Sequence, residues 1–151
     1  MLNSEIYNSF EYISVCQIKE ALLKQDFQTA NYFTYIYLLQ LRKINLKLRP
    51  WFYFTDIKYL PSDKLILLDK LWQQYSNNKF GFTVQKKIWL KHEKNWNQFF
   101  QTIGWKKDNK LCRYPEDFIW NIEAPIGHLP LFNQIRGIQI LKMLFEHKAF
   151  S

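Results

Sequence analysis

The stretch DKLWQQYSNNKFGFTVQKKIW, Asp69 to Trp89, decides how this chain reads. It joins an amphipathic segment ending in Leu71, Trp72 and Tyr75 to a second one that starts at Thr83. Between them Ser76, Asn77 and Asn78 break the period, because these residues bond their own backbone and asparagine tolerates φ > 0. Phe80 and Phe82 then flank Gly81. Two large rings at such a break are either core plugs or the lip of a pocket, and the area they can bury favours the core. The stretch predicts helix, turn, helix.

Upstream, residues from about 4 to 24 place Phe10, Ile13, Ile18, Ala21 and Leu22 within one half of a helical wheel. Asp26 offers an N-cap for a second helix carrying Ala30, Phe33, Tyr37, Leu41 and Ile44 at spacings of three or four. The two predict an antiparallel hairpin. Pro50 and Pro61 then bracket an aromatic connector, WFYFTDIKYL, and exclude a continuous helix through it. Trp51 and Tyr53 could touch a ligand there, with packing as the default. Ser62 or Asp63 is expected to cap the next helix, whose stripe is Leu65, Leu68, Trp72 and Tyr75. Asp69 lies beside that stripe, where a carboxylate is expected to be paired or capping rather than catalytic.

Downstream, Thr83 is the expected N-cap of a helix holding Val84, Ile88 and Trp89. Trp96, Phe99, Phe100 and Ile103 follow the i, i+3, i+4, i+7 pattern, and Gly104 ends that helix as a C′ glycine. Lys106 to Lys110 read as a polar, mobile loop, and Phe118-Ile119-Trp120 is too short to classify. Pro125, Gly127 and Pro130 make an irregular entry to a last helix with Ile135, Ile138, Leu141 and Phe145, ending near His147. The fold class is all-α, a single compact multi-helix domain with a long irregular loop before its final helix.

Composition bounds the function. At 151 residues, 48% of them hydrophobic, the chain can bury a proper core. A net charge of +8 suggests an anionic partner, or only solubility and drift toward lysine. Lysine-rich, alanine-poor usage of this kind follows AT-rich coding, as in a plastid genome. Two cysteines without CxxC spacing read as ordinary thiols of a reducing compartment. No apolar run reaches the roughly 18 residues of a membrane span. The start, MLNSEIYNSFEY, lacks both a signal core and the arginine-rich look of a transit peptide. The expectation is a protein that stays soluble where it is made, or one whose transit segment is absent from this sequence. Nothing resembles a P-loop, a dinucleotide fingerprint, a nucleophile elbow or HExxH, so no enzyme activity is expected. His92, His128 and His147 are too dispersed for a zinc spacing argument. His92 is expected exposed on a helix, and His147 near a helix C-terminus. His128, in an irregular loop, either bonds backbone in a tight turn or contacts a ligand.

The run Leu68-Asp69, Leu71-Trp72, Tyr75-Ser76, Phe80 to Thr83, Val84 to Lys86 and Ile88-Trp89 resembles the signature of the genomes-uncoupled-four family. Members of that family are porphyrin-binding regulators of magnesium chelatase. Gly104-Trp105-Lys106 and the block APIGHLPLFNQIRGIQILKMLFEHKAF, Ala124 to Phe150, are similar to two further family blocks in the same order. Weaker similarity reaches Leu22-Leu23, Asp26-Phe27 and Ala30. The departures are Thr83 for serine, Ile126 at a position where lysine is common, Lys148 for proline, and Lys106 for arginine. The last exchanges a planar fork for a point charge.

The resemblance implies a tetrapyrrole slot with cations at its rim, because the ligand is a flat apolar disc with two propionates on one edge. Phe80, Phe82, Trp105, Leu129 and Pro130 are its implied walls, with His128 and Asn133 beside them, and the irregular loop forms the cleft. Lys106, Arg113 and Arg136 are the implied rim cations. Arg136 leads because guanidinium pairs with carboxylate bidentately, the alternative being a surface ion pair. Resemblance further implies protoporphyrin IX and Mg-protoporphyrin IX as ligands, no required cofactor or metal, and stimulation of magnesium chelatase through its large porphyrin-binding subunit. A monomer is expected, in a plastid stroma or a cyanobacterial cytoplasm. Residues 1–18 read as a helical extension or remnant, and 19–151 as the porphyrin-binding core. Two competing readings are a nucleic-acid binder, which needs clustered lysines and exposed rings, and a peripheral membrane protein meeting anionic lipid. The lysines are spread along the chain, so no nucleic-acid partner is expected.

Overall fold

The computed structural model describes residues 12–132 and 138–151. Phe10, Asn133, Ile135 and Arg136 therefore lie outside the described residues. Among those described, the architecture is helical with one small β-hairpin. Its helices are α1 Val15–Leu23, α2 Phe27–Leu41, α3 Phe54–Ile57, α4 Ser62–Gln74, α5 Phe82–Lys91, α6 Trp96–Thr102 and α7 Ile138–Phe145. A 3₁₀ turn, Lys148–Phe150, follows α7, and strands β1 Lys106–Lys107 and β2 Lys110–Leu111 pair antiparallel after α6.

Helix α1 starts at Val15 because Ser14 and Gln17 form a capping box. Residues 12–14 are outside the helix, the expected start near residue 4 lies outside the described residues, and α1 carries the chain through residue 18 without a break. Asp26 caps α2 as expected, accepting the Thr29 N–H at 3.2 Å. Helix α2 ends at Leu41, with Ile44 just beyond it, and buries Phe27, Ala30, Asn31, Thr34, Ile36, Tyr37, Leu38 and Leu39. That is wider than one stripe, because α1 packs on one side of it and the loop before α7 on another. Asn31 Oδ1 accepts the Leu131 N–H at 2.7 Å, and Thr34 Oγ1 accepts the Trp72 indole N–H at 3.0 Å.

Two helix starts differ from the sequence expectation. Pro61 is the N-cap of α4, with Ser62 as its first residue. This fits the proline's extended ψ and its missing donor. Gly81, not Thr83, is the N-cap of α5, and Thr83 lies in the first turn. Helix α5 is capped through space: Asp69 of α4 accepts the Thr83 N–H at 2.9 Å. The turn between α4 and α5 runs through left-handed Asn77 and Asn78, at φ 54° and 62°. Ser76 Oγ closes it, donating to Trp72 O and accepting the Phe80 N–H at 2.9 Å.

The expected mobile loop at Lys106–Lys110 is instead a hairpin. Asp108 and Asn109 both sit at positive φ, the geometry of a two-residue I′ turn whose twist matches the strands. The last helix turns Ile140, Leu141, Leu144 and Phe145 inward and leaves Ile138 at the surface. No described helix is long and apolar enough to cross a membrane.

Candidate functional site

The loop from Ile103 to Leu131 is held by one buried imidazole. His128 has no solvent exposure. Its Nδ1 lies 2.7 Å from the Ile103 carbonyl and its Nε2 accepts the Ile119 N–H at 3.0 Å. Those partners fix the neutral tautomer, with the proton on Nδ1. Burial pushes its pKa down; the Ile103 carbonyl opposes this and the Lys107 charge adds to it. Trp105 Nε1 donates to the His128 carbonyl at 2.7 Å. Gly104 makes the approach possible: at φ 80°, a Cβ there would stand 2.8 Å from Pro125 Cγ and 3.2 Å from His128 Nδ1. Gln85 completes the clamp, donating to Gly127 O at 3.0 Å and Pro130 O at 2.8 Å. His128 thus takes the backbone-bonding alternative.

The implied slot walls lie in this packed interior. Phe80, Phe82 and Leu129 have no exposed surface, Trp105 is 3% exposed, and Pro130 is buried. Phe80 meets Phe27 edge-on at 5.3 Å, and Phe82 packs on Phe132 and Phe150 at 6.0 Å. Of the rim candidates, Lys106 opens the hairpin opposite Leu111, and Arg113 lies two residues beyond it. Lys106 Nζ binds Asn97 Oδ1 at 2.6 Å, and the exposed Arg113 pairs with Asp117 at 3.1 Å. The structure therefore does not gather these residues around an open slot. His92 is half-buried with Nε2 2.9 Å from Thr102 Oγ1. His147 is buried and binds Leu60 O and the Ala149 N–H instead of facing a helix end as a free cation.

What the fold does expose is the connector between α2 and α4. Residues 42–59 hold five of the chain's cations and one carboxylate. Leu48, Tyr53, Phe54 and Tyr59 are 77, 55, 53 and 59% exposed. Three of the cations lie against aromatic faces: Arg49 over Tyr53 at 4.2 Å, Arg42 over Tyr59 at 5.0 Å and Lys58 over Tyr59 at 4.8 Å. Asp56 anchors the group. It accepts from Arg49 Nη1 at 2.9 Å and from the Tyr53 N–H at 2.8 Å. Burial pushes the Asp56 carboxyl up, but the Arg49 hydrogen bond, the Tyr53 N–H and the two guanidinium charges outweigh it and hold it below the usual range.

The connector also supports Phe132 and α7, the described neighbours of residues 133–137. Phe132 packs on Phe52 at 5.3 Å, and α7 packs on α3. Sequence reasoning gives Trp51 and Tyr53 of this face as possible ligand contacts, with packing as the default, and does not single out its cations. The signal is a run of four cations, Arg42, Lys43, Lys47 and Arg49, just before Pro50, with Asp56 the lone carboxylate after it.

Comparison with known proteins agrees with this architecture. A family model described as GUN4-like matches residues 8–148. The ycf53 protein of Pyropia yezoensis is 46% identical over 143 residues, covering 95% of this chain and 60% of the relative. The tetrapyrrole-binding protein, chloroplastic, of Arabidopsis thaliana is 36% identical over 89% of this chain and 54% of its own length. The chain thus spans about three fifths or less of these relatives. The ligand-free structure of Arabidopsis thaliana GUN4 superposes with a TM-score of 0.80 at 34% identity, covering 95% of this chain and 97% of that one. GUN4 from Chlamydomonas reinhardtii gives 0.83 at 35%, covering 97% and 99%. The chain belongs to the GUN4-like family.

Proposed function

We propose that this chain is a tetrapyrrole-binding regulatory protein, not an enzyme, and that its ligand rests on the connector face. The observation that carries this reading is the pairing there of exposed rings with surplus cations. A flat apolar disc stacks on Tyr53, Phe54 and Tyr59, and its propionates meet the guanidinium and ammonium groups beside them. The name of the Arabidopsis relative supports the ligand class. Protoporphyrin IX and Mg-protoporphyrin IX fit equally, since neither needs an axial histidine. Asn133 and Arg136 keep the rim role in this proposal, in a segment whose flanks rest on the connector. Phe80, Phe82, Trp105, His128, Leu129 and Pro130 are assigned to the scaffold behind the face, and Lys106 and Arg113 to a separate basic edge.

In the same proposal the loaded, monomeric protein stimulates magnesium chelatase by contact with its large porphyrin-binding subunit. The site of action is a plastid stroma, in line with the chloroplastic and ycf53 relatives, or the cytoplasm of a cyanobacterium. The test is a titration with a soluble protoporphyrin analogue, following tryptophan emission. Saturable quenching at micromolar or tighter affinity, weakened by Phe54→Ser, is the expected result. Quenching that rises linearly in both proteins would overturn it.

The connector's rings and cations also favour contact with an anionic membrane surface. Flotation with anionic but not zwitterionic vesicles, in the absence of porphyrin, separates that second reading.

A further inference from the structure

On the connector two guanidinium groups share one carboxylate, and they share it unequally. Arg49 is engaged through Nη1, which binds Asp56 Oδ2 at 2.9 Å and Trp51 O at 3.1 Å, and its guanidinium carbon lies 4.2 Å from the Tyr53 ring centroid. Arg42 approaches Asp56 Oδ1 only to 3.6 Å, too far for a hydrogen bond. Its Nε is buried and has no hydrogen-bond partner among the described residues. It rests over Tyr59, which also carries Lys58 on its ring. A guanidinium has five donors in a planar fork and is best satisfied by a bidentate oxyanion. Asp56 cannot serve as that oxyanion for both arginines, since its Oδ2 is already committed to Arg49 and the Tyr53 N–H.

We infer that Arg42 is a carboxylate-binding residue, holding an acidic group of the ligand at the edge of the connector face while Arg49 only fastens the connector. The inference rests on the tetrapyrrole reading above and names the residue that reads the ligand's charge. Arg42 closes α2 as its C-cap, so its backbone is set by a helix and not by the loop alone. The Tyr59 ring, its centroid 5.0 Å from the guanidinium carbon, holds the charge in place by cation–π contact. The fork is therefore oriented before the ligand arrives, which lowers the ordering cost of binding.

The test compares a soluble dicarboxylate porphyrin with its dimethyl ester, which keeps the disc and removes the charge. The wild-type chain should prefer the acid by roughly tenfold or more, the worth of one charge-assisted bond. Arg42→Gln should abolish that preference while leaving ester affinity within about twofold, the ester reporting that the face is still folded. Arg42→Lys should keep only part of it, because an ammonium lacks the fork. A preference that persists in Arg42→Gln overturns this inference alone. A parallel loss of acid and ester binding also overturns it, by showing Arg42 to be a support of the face. Failure of both forms to bind the wild-type chain saturably overturns the tetrapyrrole reading itself.

Discussion

Asp69 and Thr83, fourteen residues apart in sequence, close the first turn of α5 together. Asp69 Oδ1 accepts the Thr83 N–H at 2.9 Å and Oδ2 accepts its hydroxyl, while Gln73 Nε2 steadies the carboxylate at 2.8 Å. A negative group at this helix end also suits the dipole. The fit depends on Gly81: at φ 132°, a Cβ there would stand 2.9 Å from Asp69 Oδ1. Cap and glycine are one device, and it sets the angle between α4 and α5.

Replacing Asp69 by alanine should cost about 2 kcal/mol, the upper range for a lost cap. Thr83→Val, which keeps the N–H bond and loses the hydroxyl, should cost about 1 kcal/mol. The double variant should cost less than the two singles added, since both remove the same contact. Urea midpoints at constant slope measure this. Strict additivity would show that the pair does not act as a unit.

Acid should weaken the fold in two separate windows. His128 and His147 are each held neutral, chiefly by burial, and each accepts a backbone N–H with the ring nitrogen that a proton would occupy. Their folded pKa values lie below 6.5, so the unfolded chain binds protons first as pH falls. Stability is therefore level above about pH 6.5 and declines below it, until the folded histidines titrate. Asp56, held low in the fold, adds a second decline starting below about pH 4. Urea midpoints measured from pH 8 to 3 should show both. The upper step should shrink in His147→Gln, and a flat profile from pH 7 to 5 would contradict the assigned tautomers.

Where the physics is local, these elements could be read from sequence. Asp26 caps the helix that follows it, Gly104 ends α6 at φ 80°, and Leu65, Leu68 and Trp72 bury one stripe of α4. Three features depended on contacts distant in sequence and were not readable. The sequence marks Asp69 as a paired or capping carboxylate but not Thr83 as its distant partner, and the rings of Phe80 and Phe82 are claimed by Phe27 and Phe132. The Arg42–Asp56–Arg49 cluster joins a helix end to a connector that looks merely aromatic. One miss was local: Asp108-Asn109 is a turn signal, obscured by the surrounding lysines.

Trp105→Phe should destabilise by about 1–2 kcal/mol despite keeping most of the ring packing. The His128 carbonyl would lose its indole donor at a buried site, and an unmade buried bond costs that much. Thermal unfolding checks it. A loss below about 0.3 kcal/mol would mean that the loop relaxes to find another donor.

Arg49→Gln should cost about 1–3 kcal/mol, because it removes a hydrogen bond to a largely buried carboxylate and another to the Trp51 carbonyl. Arg42→Gln should cost less than this, its contact with Asp56 being long. Denaturant melts of the two variants rank them. The reverse order would mean that Arg42, not Arg49, fastens the connector.

Exposure separates the energetics of the connector's rings from those of the core. Phe54 and Tyr53 are more than half exposed, so Phe54→Ser and Tyr53→Ser should shift stability by no more than about 0.5 kcal/mol. A stacked disc would cover both rings, and removal of either should weaken porphyrin binding by about tenfold. Phe82→Leu should behave in the opposite way: its ring is enclosed by Phe132 and Phe150, so it should lower the melting temperature with little effect on affinity per folded molecule. Quenching titrations beside thermal melts give both quantities for each variant. If Phe82→Leu lost affinity while the connector variants kept it, the ligand would have to enter the packed interior, and Phe80, Phe82 and Leu129 would be its walls after all.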